Sequence, residues 1–172
     1  MISIIAGTNL PHSKAAVLAQ FLQLESPDSL TLDLATLGND FIHQEMYSHQ
    51  SAELTAIQKE YLIEPDKWII IVPEYNGTFP GYFKLFIDAC SIHKYEQTFK
   101  DKKIWLIGLG SGRGGNLRGL DHLTTAMNYL GCVIFPHRLA ISQVETKIRD
   151  TEIFDEDLLR ELELGLKNFI DF

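Results

Sequence analysis

The run Trp68-Ile-Ile-Ile-Val72 passes directly into Pro73. A strand with one wet face alternates apolar and polar residues, so an unbroken, largely β-branched run reads as a strand covered on both faces. Related runs are Ile2 to Ala6, Ile104-Trp-Leu-Ile107 and Cys132-Val-Ile-Phe135, together with the alternating Leu30-Thr-Leu-Asp-Leu34. Between them lie apolar residues at i, i+3, i+4 spacing: Val17/Leu18/Phe21/Leu22, Phe83/Phe86/Ile87/Cys90, Leu117/Leu120/Leu123/Met127/Leu130 and Leu158/Leu159/Leu162/Leu166/Phe169/Ile170. That spacing puts them on one side of a helix. A less amphipathic helix is expected from about Gln50 to Leu62.

Strict alternation of strand and helix makes a parallel sheet, joined by right-handed crossovers, with helices on both faces. Five strands favour an α/β three-layer sandwich of the flavodoxin-like kind, in strand order 2-1-3-4-5. No repeat, linker or low-complexity tract interrupts the 172 residues, so residues 1–172 are expected to form one domain.

In such sheets ligands bind beyond the carboxyl ends of the strands, where the strand order reverses. Three loops are therefore expected to carry the function. The first, Gly7-Thr-Asn-Leu-Pro-His-Ser-Lys14, runs into a helix. Hydroxyls at Thr8 and Ser13 and the free N–H groups of the helix start form a phosphate cradle, with Ser13 as an ordinary N-cap. The second, Pro73-Glu-Tyr-Asn-Gly-Thr-Phe-Pro-Gly81, follows the most apolar strand. Asn76-Gly77 permits positive φ and turns backbone N–H groups outward to grip a planar heterocycle, and Tyr75 can stack on a ring. A hydrogen bond that stabilises the loop is the expected role of Glu74. The third, Gly108-Leu-Gly-Ser-Gly-Arg-Gly-Gly-Asn-Leu-Arg118, formally satisfies G-x-G-x-x-G at Gly110, Gly112 and Gly115. It follows the fourth strand instead of the first, and the next strand ends in Pro136-His-Arg138 with no acidic residue for a ribose, so it is read as a flat surface for close approach of a ligand. Arg113 and Arg118 add positive charge beside it.

The middle loop resembles the Pro-Glu-Tyr-Asn-Gly-Ser-x-Pro-Gly signature of NADPH-dependent FMN reductases, a family that includes azoreductases and chromate or quinone reductases. Gly7-Thr8 with Ser13 is similar to the family's phosphate loop, and Gly110 to Arg118 stands in the place of its glycine-rich loop. The resemblance implies an NAD(P)H-dependent oxidoreductase that uses bound FMN to reduce flavins, quinones, azo compounds or similar acceptors by ping-pong hydride transfer. It implies FMN contacts at Thr8, Asn9, Ser13 and Lys14 for the phosphate. Pro73, Glu74, Tyr75, Asn76, Gly77, Gly110, Ser111, Gly112 and Arg113 would hold the ring. NADPH or NADH would be the electron donor, no protein nucleophile would be needed, and the assembly would be a homodimer or homotetramer. Leu10 departs from the family, which carries arginine there, and Lys14 stands where a small amide is common. Loss of a guanidinium beside a phosphate removes a charge-assisted hydrogen bond of about 1.5–3 kcal/mol. Two alternatives rest on the same residues: an electron carrier without a nicotinamide site, and a binding module in which Leu10 marks weakened or lost FMN binding.

A net charge of −8 and a sequence pI near 5.2 oppose adsorption to nucleic acid or anionic membrane, which leaves a small molecule as the expected partner. No apolar run reaches the roughly 20 residues that span a bilayer, and the start has no basic region, so the expected location is the cytoplasm. Cys90 and Cys132 lie in apolar segments and are expected to be buried thiols. His122, beside Asp121, is expected to make a local hydrogen bond. Asp155-Glu-Asp157 is expected to complement the start of the last helix.

Overall fold

The computed structural model describes residues 1–172. Its main sheet is built from β1 (Ile2–Ala6), β2 (Leu30–Asp33), β3 (Lys67–Pro73), β4 (Lys103–Leu109) and β5 (Val133–Ile134), in the order β2-β1-β3-β4-β5 with every pairing parallel. Register is continuous across the centre, where Ile70 lies opposite Ile5 on one side and Leu106 on the other.

Alternate residues of β3 feed two separate cores, as the pleat requires. Trp68, Ile70 and Val72 pack under α2 (Ala52–Ile57), α3 (Gly81–Ser91), α4 (Tyr95–Phe99) and α5 (Leu117–Tyr129). Ile69 and Ile71 pack under α1 (Lys14–Glu25) and α6 (Glu156–Asp171). The Asp155 carboxylate accepts from Leu158 N at 2.7 Å and caps α6, as its acidic start predicts.

Several elements differ from expectation. Leu34 leaves the second strand and begins a 3-10 turn, capped by Asp33 Oδ1 accepting from Ala35 N at 3.0 Å. The segment from Gln50 is helical only from Ala52 and widens to π-helical turns over Gln58–Ile63. Gln58 is buried there, and its Nε2 donates to Cys90 O and His93 O, both at 2.8 Å, tying the segment to the end of α3. The fifth strand is split. After Phe135 N donates to Ile104 O, Pro136 offers no N–H and the ladder stops. It resumes as β6 (Leu139–Ile141), opposite Ile107 to Leu109 of β4. A two-stranded hairpin, β7 (Ile148–Arg149) with β8 (Glu152–Ile153), then leads into α6.

Candidate functional site

The first loop turns where Gly7 N donates to Ile71 O at 2.8 Å. A Cβ on Gly7 would stand 2.8 Å from Val72 Cγ1, so this glycine serves packing between strands. Thr8 is fully buried. Its Oγ1 lies 3.1 Å from the Tyr75 hydroxyl and accepts from Leu10 N at 3.3 Å. Ser13 Oγ accepts from Ala16 N at 3.2 Å, which makes it the expected N-cap of α1. The N–H groups of Lys14 and Ala15 have no acceptor within the chain and lie at the positive end of the helix. Asn9 is exposed beside them.

The second loop is a two-residue hairpin turn. Tyr75 and Thr78 exchange backbone hydrogen bonds of 2.9 and 3.1 Å, while Asn76 and Gly77 take φ of 52° and 80°. This is the geometry for which Asn-Gly is preferred, and it leaves the N–H groups of Asn76 and Gly77 unpaired. Glu74 does not stabilise the loop through its carboxylate, contrary to expectation. Its backbone N–H donates to Leu109 O at 2.8 Å, but the side chain makes no hydrogen bond and is exposed over Gly110. The Thr78 hydroxyl is hydrogen-bonded to His122 Nδ1 at 2.9 Å, so the histidine joins the loop to α5.

The glycines of the third loop divide into two groups. A Cβ on Gly115, whose φ is +56°, would lie 2.8 Å from the Ala140 carbonyl, and one on Gly110 would lie 3.0 Å from Asn116 N. These positions are closed by the chain itself. At Gly112 and Gly114, as at Gly77, nothing stands within 4 Å of an added Cβ. In the third loop, Gly112 and Gly114 are the glycines whose backbone is left uncovered. The N–H groups of Ser111, Gly112, Arg113 and Gly114 are unpaired as well, and neither Arg113 nor Arg118 makes an ion pair. Asn116, absent from the expected site, holds the loop from below: in a left-handed conformation, buried, it donates from Nδ2 to Val72 O at 3.0 Å.

A fourth segment completes the site. Gly110 N donates to Ile141 O, Val144 N to Gly110 O and Gln143 N to Gly112 O, which stitches residues 141–144 to the third loop. This brings Glu145 to the edge, where Ser111 Oγ donates to its Oε1 at 2.8 Å. That bond, with the nearby Lys14 ammonium as a weaker cause, holds the Glu145 carboxyl below its ordinary value.

Together the four segments enclose a cleft of about 310 Å³. Ser13, Lys14, Pro73, Glu74, Tyr75, Gly110 and Ser111 line it as expected, joined by Leu10, His12 and Glu145. Gly112 lines an adjoining recess of about 420 Å³ with Gly114, Leu117 and Arg118, and Glu74 borders both. Thr8, Asn9, Asn76, Gly77 and Arg113 line neither hollow, although each belongs to a loop that does.

A family model described as NADPH-dependent FMN reductase matches residues 1–146, which include the first three loops and Glu145. The chain belongs to this family. The reductase is 24% identical over 170 residues to a 2-hydroxy-1,4-benzoquinone reductase from a Burkholderia species, covering 98% of this chain and 93% of that one. Its fold is that of the flavoenzyme NAD(P)H:(acceptor) oxidoreductase FerB from Paracoccus denitrificans, with a TM-score of 0.79, 20% identity and coverage of 99% and 94% of the two chains. A flavodoxin from the domain Archaea shares the fold at a TM-score of 0.62 and 11% identity, covering 99% of this chain and 97% of that one.

The reductase is thus an FMN-dependent NAD(P)H oxidoreductase of flavodoxin-like fold. The site suits such a cofactor. Open glycines with outward N–H groups accommodate a flat ring, and the start of α1 accommodates a phosphate. No group of His, Cys, Asp or Glu is arranged to hold a metal ion. No helix is long and apolar enough to cross a membrane.

Proposed function

We propose that the FMN phosphate rests on Asn9, Ser13, Lys14 and the first N–H groups of α1, with Thr8 bracing that loop from below. The ring lies along Pro73 to Gly77 and over Ser111 to Arg113, and the Glu74-bordered recess receives nicotinamide and acceptor in turn. Bound FMN would supply hydride acceptance and electron delivery in alternating half-reactions, with quinones, flavins or azo compounds as acceptors. The protein's task is to orient and shield. Asn76 and Gly77 N–H groups fix one edge of the ring, Tyr75 walls the cleft, and Arg113 and Arg118 offer cations to a nucleotide phosphate. The carrying observation is that the unpaired N–H groups of Lys14, Ala15 and Ser111, from the loops after β1 and β4, line one cleft whose wall is completed by Pro73, Glu74 and Tyr75 after β3. Quinone as an acceptor class draws support from the Burkholderia relative.

A homodimer or homotetramer is part of this proposal. A groove of about 490 Å³ runs between α3 and α5, flanked by Tyr95 and by Tyr129, which is 86% exposed. An exposed tyrosine pair on an apolar groove fits a second copy of the chain. The groove reaches His122 and hence Thr78, so the partner would stand beside the flavin loop. We place residues 1–172, as one domain, in the cytoplasm, where nicotinamide donors are supplied and free thiols such as Cys90 and Cys132 persist.

The test is anaerobic. The FMN-loaded protein loses its yellow absorbance with NADPH or NADH and regains it with a p-benzoquinone, and steady-state rates give parallel double-reciprocal lines. A protein that binds no FMN, or a bleached sample that quinone leaves bleached, overturns the proposal.

A further inference from the structure

The phosphate end of the cleft is poor in cations. Leu10 lines the cleft, is 55% exposed and brings no charge to it. Lys14 is the single lysine or arginine lining the cleft, which also holds His12 and two carboxylates, Glu74 and Glu145, the latter within electrostatic reach of Lys14. Glu145 is held by its backbone neighbours and by one side-chain bond. It follows the residues stitched to Gly110 and Gly112, sits in a 3-10 turn over Val144–Thr146, and is tied to Ser111 at 2.8 Å. Its carboxylate therefore cannot swing away when an anion enters without breaking that bond.

A flavin carries its charge only on the phosphate, so a fixed carboxylate facing the phosphate cradle acts on FMN and not on riboflavin. Glu74 borders both hollows, whereas Glu145 lines only the cleft that holds Ser13, Lys14 and the start of α1. We propose that Glu145 is a specificity-determining residue, lowering the affinity for phosphorylated flavin relative to unphosphorylated flavin and shortening the residence of FMN. Lys14, the counter-charge to Glu145, is the group whose attraction for phosphate it offsets. The inference rests on the placement of FMN proposed above.

The experiment compares the dissociation constants of FMN and riboflavin by quenching of flavin fluorescence, for the wild-type chain, Glu145→Gln and Glu145→Asp. Glu145→Gln tightens FMN about three- to tenfold, the scale of one solvent-screened repulsion, and leaves riboflavin unchanged. The gain disappears at about 1 M NaCl, where the Debye length falls to about 3 Å. Glu145→Asp, which keeps the charge, keeps the wild-type ratio. An unchanged FMN-to-riboflavin ratio in Glu145→Gln, or an equal gain for both flavins, overturns the role of Glu145 while leaving the flavin site standing. Failure of both flavins to bind any of the three proteins removes the proposed site itself.

Discussion

The hydroxyl of Tyr75 lies 3.1 Å from Oγ1 of Thr8, joining residues 67 positions apart across the carboxyl edge of β1 and β3. The bond makes the aromatic ring a strut between the loops after β1 and β3. Tyr75→Phe keeps the wall and removes the strut. Its expected cost is about 0.5–1.5 kcal/mol in urea unfolding, since the buried Thr8 hydroxyl loses a partner. FMN affinity falls with it, whereas a ring that merely stacks on flavin would leave affinity untouched.

The two classes of glycine predict opposite phenotypes. Gly112→Val projects into open space, so the unfolding midpoint stays within about 0.5 kcal/mol of wild type while FMN binding weakens. Gly115→Ala forces a Cβ to 2.8 Å from the Ala140 carbonyl at a φ of +56° and costs at least about 2 kcal/mol. Urea titration beside a flavin titration separates the two.

Far from the site, Gly165 of α6 lets the helix lie on Trp105, whose Cζ2 would be 2.4 Å from an added Cβ. Helix propensity alone favours alanine by about 1 kcal/mol. Overpacking against a fully buried indole costs about 1–3 kcal/mol and wins, so Gly165→Ala destabilises. A higher melting temperature in that variant would show that the helix can shift.

Burial raises both thiols: Cys132 is pushed from 9.0 up to about 12, and Cys90 is shifted in the same direction. A folded-state value above the unfolded one means that the native chain holds its protons longer. Stability from this source is complete below about pH 9 and is lost as pH rises from there towards 12. Neither thiol reacts with a disulfide reagent in the native protein at pH 8, and both react in denaturant. Cys132→Ala flattens the alkaline part of the stability curve.

The central sheet was legible because Trp68 to Val72 is apolar without interruption and leads into a loop whose Asn-Gly pair admits one tight turn. Ser13 was legible as a cap, and Asp155 to Asp157 as an acidic helix start, both being local; that Asp155 itself caps α6 came from the structure. What escaped was non-local. β6 is three residues long and follows Pro136, so nothing in its own composition marks a strand; its register comes from Ile107 to Leu109. Glu145 enters the site only because that register carries it there. The formal glycine pattern hid a distinction that depends on neighbours distant in sequence: Gly115 meets Ala140, while Gly112 meets nothing. Asn116 gave no sign because a left-handed, buried asparagine is defined by what lies above it, here the Val72 carbonyl.

The break at Pro136 also bears on aggregation. A sheet edge is a row of unpaired donors and acceptors that invites a strand from another molecule, and long, flat edges are the hazard. Here one border is interrupted between Ile134 and Leu139, and the other is the four-residue β2. Neither offers a continuous template for intermolecular strand addition. The proline that interrupts its own sheet thereby shortens the border at which such pairing could start.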